Sequence, residues 1–255
     1  MESYEHKTAE HEHREAPQER QRPRDRFLPI SILIAAVIIG GSVVFAATRG
    51  GAAAPIAAGQ NPATAPTVQA QVPPIGGRDV VLGNPNAPVT LIEYGDYQCP
   101  FCGRMFSQVE PQLRADYINT GKVKMVFRNF QFLGPESVAA GAAAECAEDQ
   151  NKFWAYHDAL YTAKVGDAAN GEDDGFFSRA ELLKLAQQVG LDTPSFTSCI
   201  DSNKYASQIQ KDKTDASAIG VNSTPTSYVN GVQVLGAQPY SAFQTVIEAA
   251  LQKKS

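Results

Sequence analysis

The sequence beyond its N-terminal tail contains almost no histidine. Of the four histidines, His6, His11 and His13 lie in that tail, which leaves only His157 for the remainder of the chain. A catalytic or metal-binding cluster built on imidazole is therefore nearly excluded, and we expect no metal site. Glycine-rich phosphate loops and helical metalloprotease motifs are absent as well. The net charge of −5, without a concentrated basic face, argues against nucleic acid as a partner.

One long uncharged run lies near the N-terminus. Residues 27–47 (FLPISILIAAVIIGGSVVFAA) could cross the hydrocarbon core of a bilayer as a helix. Arginines crowd its N-terminal side, and basic residues are scarce beyond it until Arg78. The positive-inside rule then predicts a cytoplasmic tail (1–26), a single membrane anchor, and an extracytoplasmic remainder in a periplasm or on the outer face of the plasma membrane. A cleaved signal peptide is the alternative, because Val44-Phe45-Ala46 resembles a small-residue cleavage site.

A change of composition separates the predicted anchor from a globular domain. Residues 48–77 are rich in Ala, Pro, Gln and Gly and show no hydrophobic period, so we predict a flexible linker. Residues 78–255 have the patterns of a folded domain. Its first three elements are predicted to be a buried strand, a helix kinked at Pro111, and a second strand, over Val89–Tyr94, Cys99–Tyr117 and Lys122–Phe130.

The predicted order of elements is that of an α/β fold. The first three elements make a βαβ unit with parallel strands. A helical block of about residues 135–220 follows, in which Ser178 and Glu181 form a capping box and Thr193 or Ser195 is expected to start a short helix. An Asn230-Gly231 hairpin turn then joins two strands, and an amphipathic helix ends the domain.

Two of the four cysteines stand where the first strand ends and the helix begins. The motif is Cys99-Pro100-Phe101-Cys102. Unpaired N–H groups at a helix N-terminus stabilise a thiolate, and a step of three residues brings the second sulfur within bonding reach. We therefore predict a redox-active pair in which Cys99, at the exposed helix end, attacks and Cys102 resolves the mixed disulfide. Half a zinc site and a purely structural disulfide are the alternatives.

A second signal lies just before the predicted hairpin. Thr224-Pro225 follows a loop and opens a strand, which makes this bond a candidate cis peptide because cis bonds are almost confined to X–Pro.

Together these features resemble the DsbA-like branch of the thioredoxin superfamily, especially its membrane-tethered bacterial forms. The resemblance extends over about residues 80–251 and is carried by Glu93, the cysteine motif, Lys152-Phe153-Trp154, Thr224-Pro225 and Val229-Asn230-Gly231. It implies a thioredoxin fold with an inserted helical domain. It also implies that Pro225 is cis and packs against the cysteines, and that Thr224 offers its backbone to an extended substrate strand. The Pro-Phe dipeptide departs from the Pro-His of the best-known members, which removes one stabiliser of the thiolate.

The resemblance also implies a function. The expected activity is the oxidation of cysteine-containing exported proteins, without a cofactor other than the Cys99–Cys102 disulfide, which a membrane partner of quinone-linked type would regenerate. A reductase or isomerase of the same fold, and a redox-silent peptide-binding module, remain alternatives.

Three further residues are candidates for roles in the domain. Glu93 lies in an otherwise apolar strand, where it could exchange a proton with Cys102 or could be an outward-facing carboxylate. Cys146 and Cys199 are expected to form a structural disulfide, since leftover cysteines in an oxidising compartment usually pair; two separate buried thiols are the alternative.

Overall fold

The computed structural model describes residues 72–166 and 174–253. The tail 1–26, the anchor 27–47 and most of the linker predicted from the sequence lie outside the described residues. Within these ranges, no helix is long and apolar enough to cross a membrane.

A mixed sheet of five strands, in the order β1-β3-β2-β4-β5, forms the centre of the domain. Strands β2 and β3 are parallel, with Val89 opposite Val123 and Gly95 opposite Asn129, and the other pairs are antiparallel. Strand β1 has only two residues and was missed by the sequence analysis, because two residues carry no hydrophobic period. The strands are β1 (Val81–Leu82), β2 (Val89–Gly95), β3 (Val123–Asn129), β4 (Thr226–Val229) and β5 (Val232–Leu235).

The helix after β2 is broken rather than kinked. Helix α1 (Pro100–Gln108) ends before Val109, α2 (Glu110–Leu113) is a single turn, and a π-helical turn (Arg114–Ile118) follows. Pro111 lies in the first turn of α2. The break precedes the proline because Pro111 has no N–H to donate to the carbonyl of Ser107, four residues earlier, and its ring disturbs the preceding turn.

The described residues of the insertion between β3 and β4 include five helices. They are α3 (Pro135–Glu148), α4 (Phe153–Val165), α5 (Arg179–Gln188), α6 (Thr193–Asp201) and α7 (Ala206–Ala218). Ser178 caps α5 by accepting a hydrogen bond from the Glu181 N–H at 3.4 Å. Asp192 caps α6, not Thr193 or Ser195, and it accepts from the Ser195 N–H at 3.1 Å. Carboxylates are as good as hydroxyls at this position.

The closing helix α8 (Tyr240–Gln252) covers one face of the sheet. Its Phe243 and Ile247 pack with Leu91, Met105 and Met125. A second apolar cluster joins α1 to the insertion, and a third lies on the opposite face of the sheet. The order of elements confirms the predicted α/β, thioredoxin-like fold with a helical insertion.

The end of the predicted linker belongs to the domain. Val72 and Ile75 pack against the third cluster. Arg128 donates to the carbonyl oxygens of Pro73 and Pro74, each at 3.1 Å. Residues 72–77 are thus held by apolar contact and by one arginine, which a composition rich in Pro and Gly did not indicate.

Candidate active site

Asp96 organises the loop between β2 and α1. Its buried carboxylate accepts hydrogen bonds from the N–H groups of Gln98 (2.9 Å) and Phe132 (2.8 Å) and from the Ser137 hydroxyl (2.5 Å). The loop is therefore tied both to the segment after β3 and to α3. This anchorage places Cys99 at the N-cap of α1, with Pro100 as the first helical residue.

Both cysteines of the motif are free thiols and both are buried. Cys99 is 6% exposed and Cys102 is fully buried. Cys99 is thus less accessible than the sequence indicated, because the loop before β4 lies against it: its Sγ is 3.4 Å from the Thr224 carbonyl oxygen. Phe101, in contrast, is 55% exposed, with the Arg104 guanidinium 4.7 Å from its ring centroid.

The two thiols differ in acidity. Hydrogen bonding from the Cys102 thiol lowers the pKa of Cys99 to about 6, although burial opposes this shift. The side chain of Thr224 and the backbone N–H groups of Cys102 and Phe101 lower the pKa further. Burial, and then the hydrogen bond and charge of Cys99, raise the pKa of Cys102 well above its usual value. At neutral pH the thiolate therefore resides on Cys99, the reactive form of a nucleophilic cysteine.

The Thr224–Pro225 peptide bond is cis in the structure. The loop that contains it is held at both ends: the Gly236 N–H donates to the Pro225 carbonyl at 2.9 Å, and the Thr226 hydroxyl donates to the Ser223 carbonyl at 2.7 Å. The loop therefore lies beside Cys99 at the sheet end where β2 leads into α1.

Glu93 is buried in the domain, and its charge interacts with both cysteines of the motif. It is 3% exposed and shares its face of β2 with Leu91, which packs against Met105 of α1. This burial removes the alternative of an outward-facing carboxylate. Burial, and then the nearby charges of Glu110 and Cys99, raise the pKa of the Glu93 carboxyl well above its usual value, while Arg114 opposes the shift.

Sequence reasoning missed a group of charged side chains, two of which act on the pKa of Glu93. Arg114 donates to Glu110 at 2.6 Å and to both oxygens of Asp158 at 2.6 and 2.7 Å. The pair of Glu110 and Arg114 has helical i, i+4 spacing that a sequence scan could find, but Asp158 lies in the insertion and only the tertiary fold brings it there.

Cys146 and Cys199 form a disulfide that joins α3 to α6, with Cα atoms 5.9 Å apart. The pairing is the one expected from the sequence. Because these sulfurs are bonded to each other, neither can complete a zinc site with Cys99 and Cys102. Among the described residues, no group of three or more His, Cys, Asp or Glu side chains could hold a metal ion.

Comparison with known proteins agrees with this geometry. A family model for thioredoxin matches residues 76–249. The chain is 32% identical over 184 residues to disulfide bond formation protein D of Bacillus subtilis, covering 71% of this chain and 81% of that protein. The crystal structure of oxidised BdbD from Bacillus subtilis is similar, with a TM-score of 0.63 and 30% identity over 69% of this chain and 94% of that one. A thioredoxin-like oxidoreductase from Silicibacter pomeroyi is also similar, with a TM-score of 0.58 and 30% identity over 69% and 94% of the two chains.

Proposed function

This chain belongs to the thioredoxin superfamily as a DsbA-like thiol–disulfide oxidoreductase, and we propose that it is a dithiol oxidase that introduces disulfides into exported proteins. The observation that carries the oxidising direction is the acidity of Cys99, whose thiol pKa is lowered to about 6. A stabilised thiolate favours the reduced pair, and a pair that prefers to be reduced is a stronger oxidant of other proteins. Hydrogen bonds from Cys102, Thr224 and the start of α1 supply this stabilisation without a histidine in the motif.

In the oxidising half of the cycle, a substrate thiolate attacks Sγ of Cys99 in the Cys99–Cys102 disulfide. The bond between the two motif sulfurs breaks, Cys102 leaves as a thiolate and takes a proton from Glu93, and a mixed disulfide joins the substrate to Cys99. A second substrate thiolate then attacks the substrate sulfur and releases Cys99 as its thiolate. Two electrons pass to the pair, and the substrate gains one disulfide.

In the regenerating half, the Cys99 thiolate attacks a disulfide of the membrane partner. Glu93 accepts the proton of the Cys102 thiol, whose pKa is raised by burial and by Cys99. The new Cys102 thiolate attacks Sγ of Cys99 and releases the partner as a dithiol. We infer that this partner passes the electron pair to a quinone. The pKa of the buried Glu93 carboxyl is raised, which suits a group that both gives and accepts a proton during the cycle.

An extended substrate segment would bind beside Cys99 against the backbone of Thr224. Pro225 has no N–H, and Thr224 precedes the first ladder residue of β4, so its carbonyl is available for pairing with a substrate strand once Cys99 no longer contacts it. The exposed ring of Phe101 lies next to the attacking sulfur and would add apolar contact.

We place this activity outside the cytoplasm, on a domain tethered by the helix predicted at residues 27–47. The support is the uncharged run with its arginine-rich N-terminal flank, and a disulfide between Cys146 and Cys199, which persists in an oxidising compartment.

The deciding experiment is the reduction potential of the Cys99–Cys102 pair, measured against a glutathione buffer on the soluble domain and the full chain. An oxidase should have a potential less negative than about −200 mV, whereas a thioredoxin-like reductase lies near about −270 mV. A value in the reductase range would overturn the oxidising direction and leave the thiol–disulfide chemistry in place.

A further inference from the structure

His157 of α4 is a buried imidazole whose two nitrogens meet different surroundings. Its Nδ1 lies 3.1 Å from Oδ1 of Asp158, whose side chain is 35% exposed, so this end of the ring reaches a carboxylate in contact with solvent. Its Nε2 is buried and has no hydrogen-bond partner among the described residues. Buried polar atoms nearly always form a hydrogen bond to protein or to internal water. We therefore expect an internal water or a proton at this nitrogen.

A second polar atom of the same kind lies beside the ring. The hydroxyl of Tyr97 is buried and also lacks a partner in the described part of the chain. The ring centroids of Tyr97 and His157 are 5.6 Å apart, and those of Tyr161 and His157 are 5.0 Å apart. An aromatic enclosure that would otherwise be apolar thus contains two unpaired polar atoms.

Glu93 faces the same enclosure. It is directly opposite Phe127 in the parallel ladder, so the two side chains share one face of the sheet. The Phe127 ring lies 4.9 Å from the His157 ring, centroid to centroid. Burial, and then nearby charges that include Glu93, raise the pKa of both Tyr97 and Tyr161, which places the Glu93 carboxyl among the rings that surround His157.

The outer end of the ring is held in one orientation. Arg114 donates to both oxygens of Asp158, at 2.6 and 2.7 Å, and to Glu110 at 2.6 Å. Although burial works to raise it, the pKa of the Asp158 carboxyl is lowered, because His157 and Arg114 donate to it. A fixed carboxylate acceptor keeps the imidazole proton on Nδ1 and leaves the lone pair of Nε2 pointing inward.

We propose that His157 and Asp158 carry protons between solvent and the Glu93 carboxyl, and so keep Glu93 supplied for its exchange with Cys102. This inference rests on the proposed role of Glu93. His157 touches neither reacting sulfur and acts only through that carboxyl.

The proton balance is simple. When the Cys102 thiol is deprotonated, Glu93 becomes a neutral acid. Its proton passes through internal water to Nε2 of His157, the Nδ1 proton passes to Asp158, and Asp158 releases it to solvent. The ring then holds its proton on Nε2 until the next inward transfer, in which Asp158 gives a proton to Nδ1 and Nε2 gives its proton inward through internal water to Glu93, which restores the first tautomer. The same atoms in reverse order deliver a proton when Cys102 leaves as a thiolate.

Several groups besides these set the pH dependence of the route. From its own helix, His157 meets Asp158 and Tyr161. Tyr97 faces it from the loop before α1, and Glu93 from β2. Arg114 and Glu110 act on it from the π turn and α2 through Asp158. A pH profile must therefore be read against variants of the route and not assigned to the imidazole alone.

The test compares His157→Asn with the unchanged protein. The Asn amide can still donate to Asp158 but cannot pass a proton through, so the bond is kept and the route is lost. In stopped-flow single turnovers of the full chain with oxidised glutathione, the Cys102-dependent resolving step at pH 7 should slow by about tenfold or more, with a larger solvent isotope effect. The reduction potential and the pH titration of the Cys99 thiolate should stay unchanged, because a route alters rates and not equilibria.

Two further variants keep the test decisive. Asp158→Asn, at a side chain that is partly exposed, should slow the same step, since an amide can donate to Nδ1 and reverse the tautomer. Tyr156→Phe is the matched control: it removes a buried hydroxyl of α4 that donates to the Leu182 carbonyl at 2.9 Å, away from the route, and should leave the rate unchanged.

A double variant links the route to Glu93. Glu93→Gln should slow the resolving step, and adding His157→Asn should slow it no further, because both lie on one path. A normal rate in His157→Asn with a slow Glu93→Gln would overturn the route and preserve the role of Glu93. A normal rate in Glu93→Gln would overturn both. A shifted potential or Cys99 titration in His157→Asn would show that the residue acts through structure alone and would also overturn the route.

Discussion

Removing the Cys146–Cys199 disulfide should destabilise the domain without slowing thiol exchange. The bond joins α3 to α6 across a sequence separation of 53 residues. A cross-link restricts the unfolded chain more than the folded one, and the chain-entropy model gives about 4 kcal/mol at 25 °C for a loop of this length. Both sulfurs are buried, so their replacement by alanine adds a small cavity loss. Residual structure in the unfolded chain reduces the entropic contribution of the disulfide to the free energy of unfolding.

For a domain of this size, about 4 kcal/mol corresponds to a fall in Tm of about 8–16 °C. The double variant Cys146→Ala/Cys199→Ala should show this fall in calorimetry. Its exchange rate per folded molecule should equal that of the unchanged protein, because the bond links two helices of the insertion while the reacting sulfurs lie on α1 beside the loop before β4.

The control is Ser198→Ala, an exposed position of α6 next to Cys199, which should change the stability by less than about 0.5 kcal/mol. Peptide mapping under non-reducing conditions tests the bond directly. If the double variant melts at the same temperature, or if both thiols of the unreduced, denatured protein can be alkylated, the stabilising role is refuted. A lower exchange rate per folded molecule would refute its separation from turnover.

Four further predictions concern the cysteine pair. Cys99→Ser should abolish catalysis of insulin reduction while the domain stays folded by circular dichroism, and full activity of this variant would contradict the assignment of the nucleophile. Cys102→Ala should accumulate mixed disulfides with exported proteins in the native host, because the resolving thiol is gone; non-reducing gels without adducts of higher mass would count against it. The rate of Cys99 alkylation in the reduced protein should rise with pH to a plateau, with an apparent pKa of about 6; a midpoint near 9 would show that the hydrogen bonds to the thiolate are ineffective. The lowered pKa of Cys99 also makes the stability of the reduced protein depend on pH. Because the folded-state pKa lies below the value of 9.0 expected for the unfolded chain, the thiolate stabilises the reduced protein above pH 9, and denaturant titrations should show this contribution lost as the pH falls to about 6.

The sequence predicted the features that depend on residues close together in the chain. The turn at Asn230-Gly231 and the helix cap at Ser178 depend on a few consecutive side chains, and the structure has the turn and the hydrogen bond from the Glu181 N–H to the Ser178 hydroxyl. The sequence predicted one helix over Cys99–Tyr117 with a kink at Pro111, whereas the structure interrupts this helix at Val109, because a proline disturbs the turn before it without specifying the residue at which the helix stops. The position of Cys99 at a helix N-terminus was likewise predicted, but its burial was not.

The features that the sequence did not predict depend on contacts between segments that are far apart in the chain. The packing of Val72 and Ile75 on the sheet, the loop anchored by Asp96, and the bridge from Arg114 to Asp158 each join parts of the chain that no local pattern relates. His157 is the clearest case. As a single histidine on a predicted helix it indicated no function, and the role proposed for it depends on which ring nitrogen the fold leaves buried.

The sequence by itself determined the chemistry of this protein, since a cysteine pair at a strand–helix junction and a later Thr-Pro pair are local patterns whose residue types specify thiol exchange. Only the tertiary structure decided how deeply each sulfur is buried and how acidic it is. Those properties arise from burial and from interactions across the fold: the Thr224 carbonyl oxygen lies 3.4 Å from Sγ of Cys99, and the charge of buried Glu93 contributes to the raised pKa of Cys102. Energies of burial and charge depend on distances in space, which the order of residues along the chain does not contain.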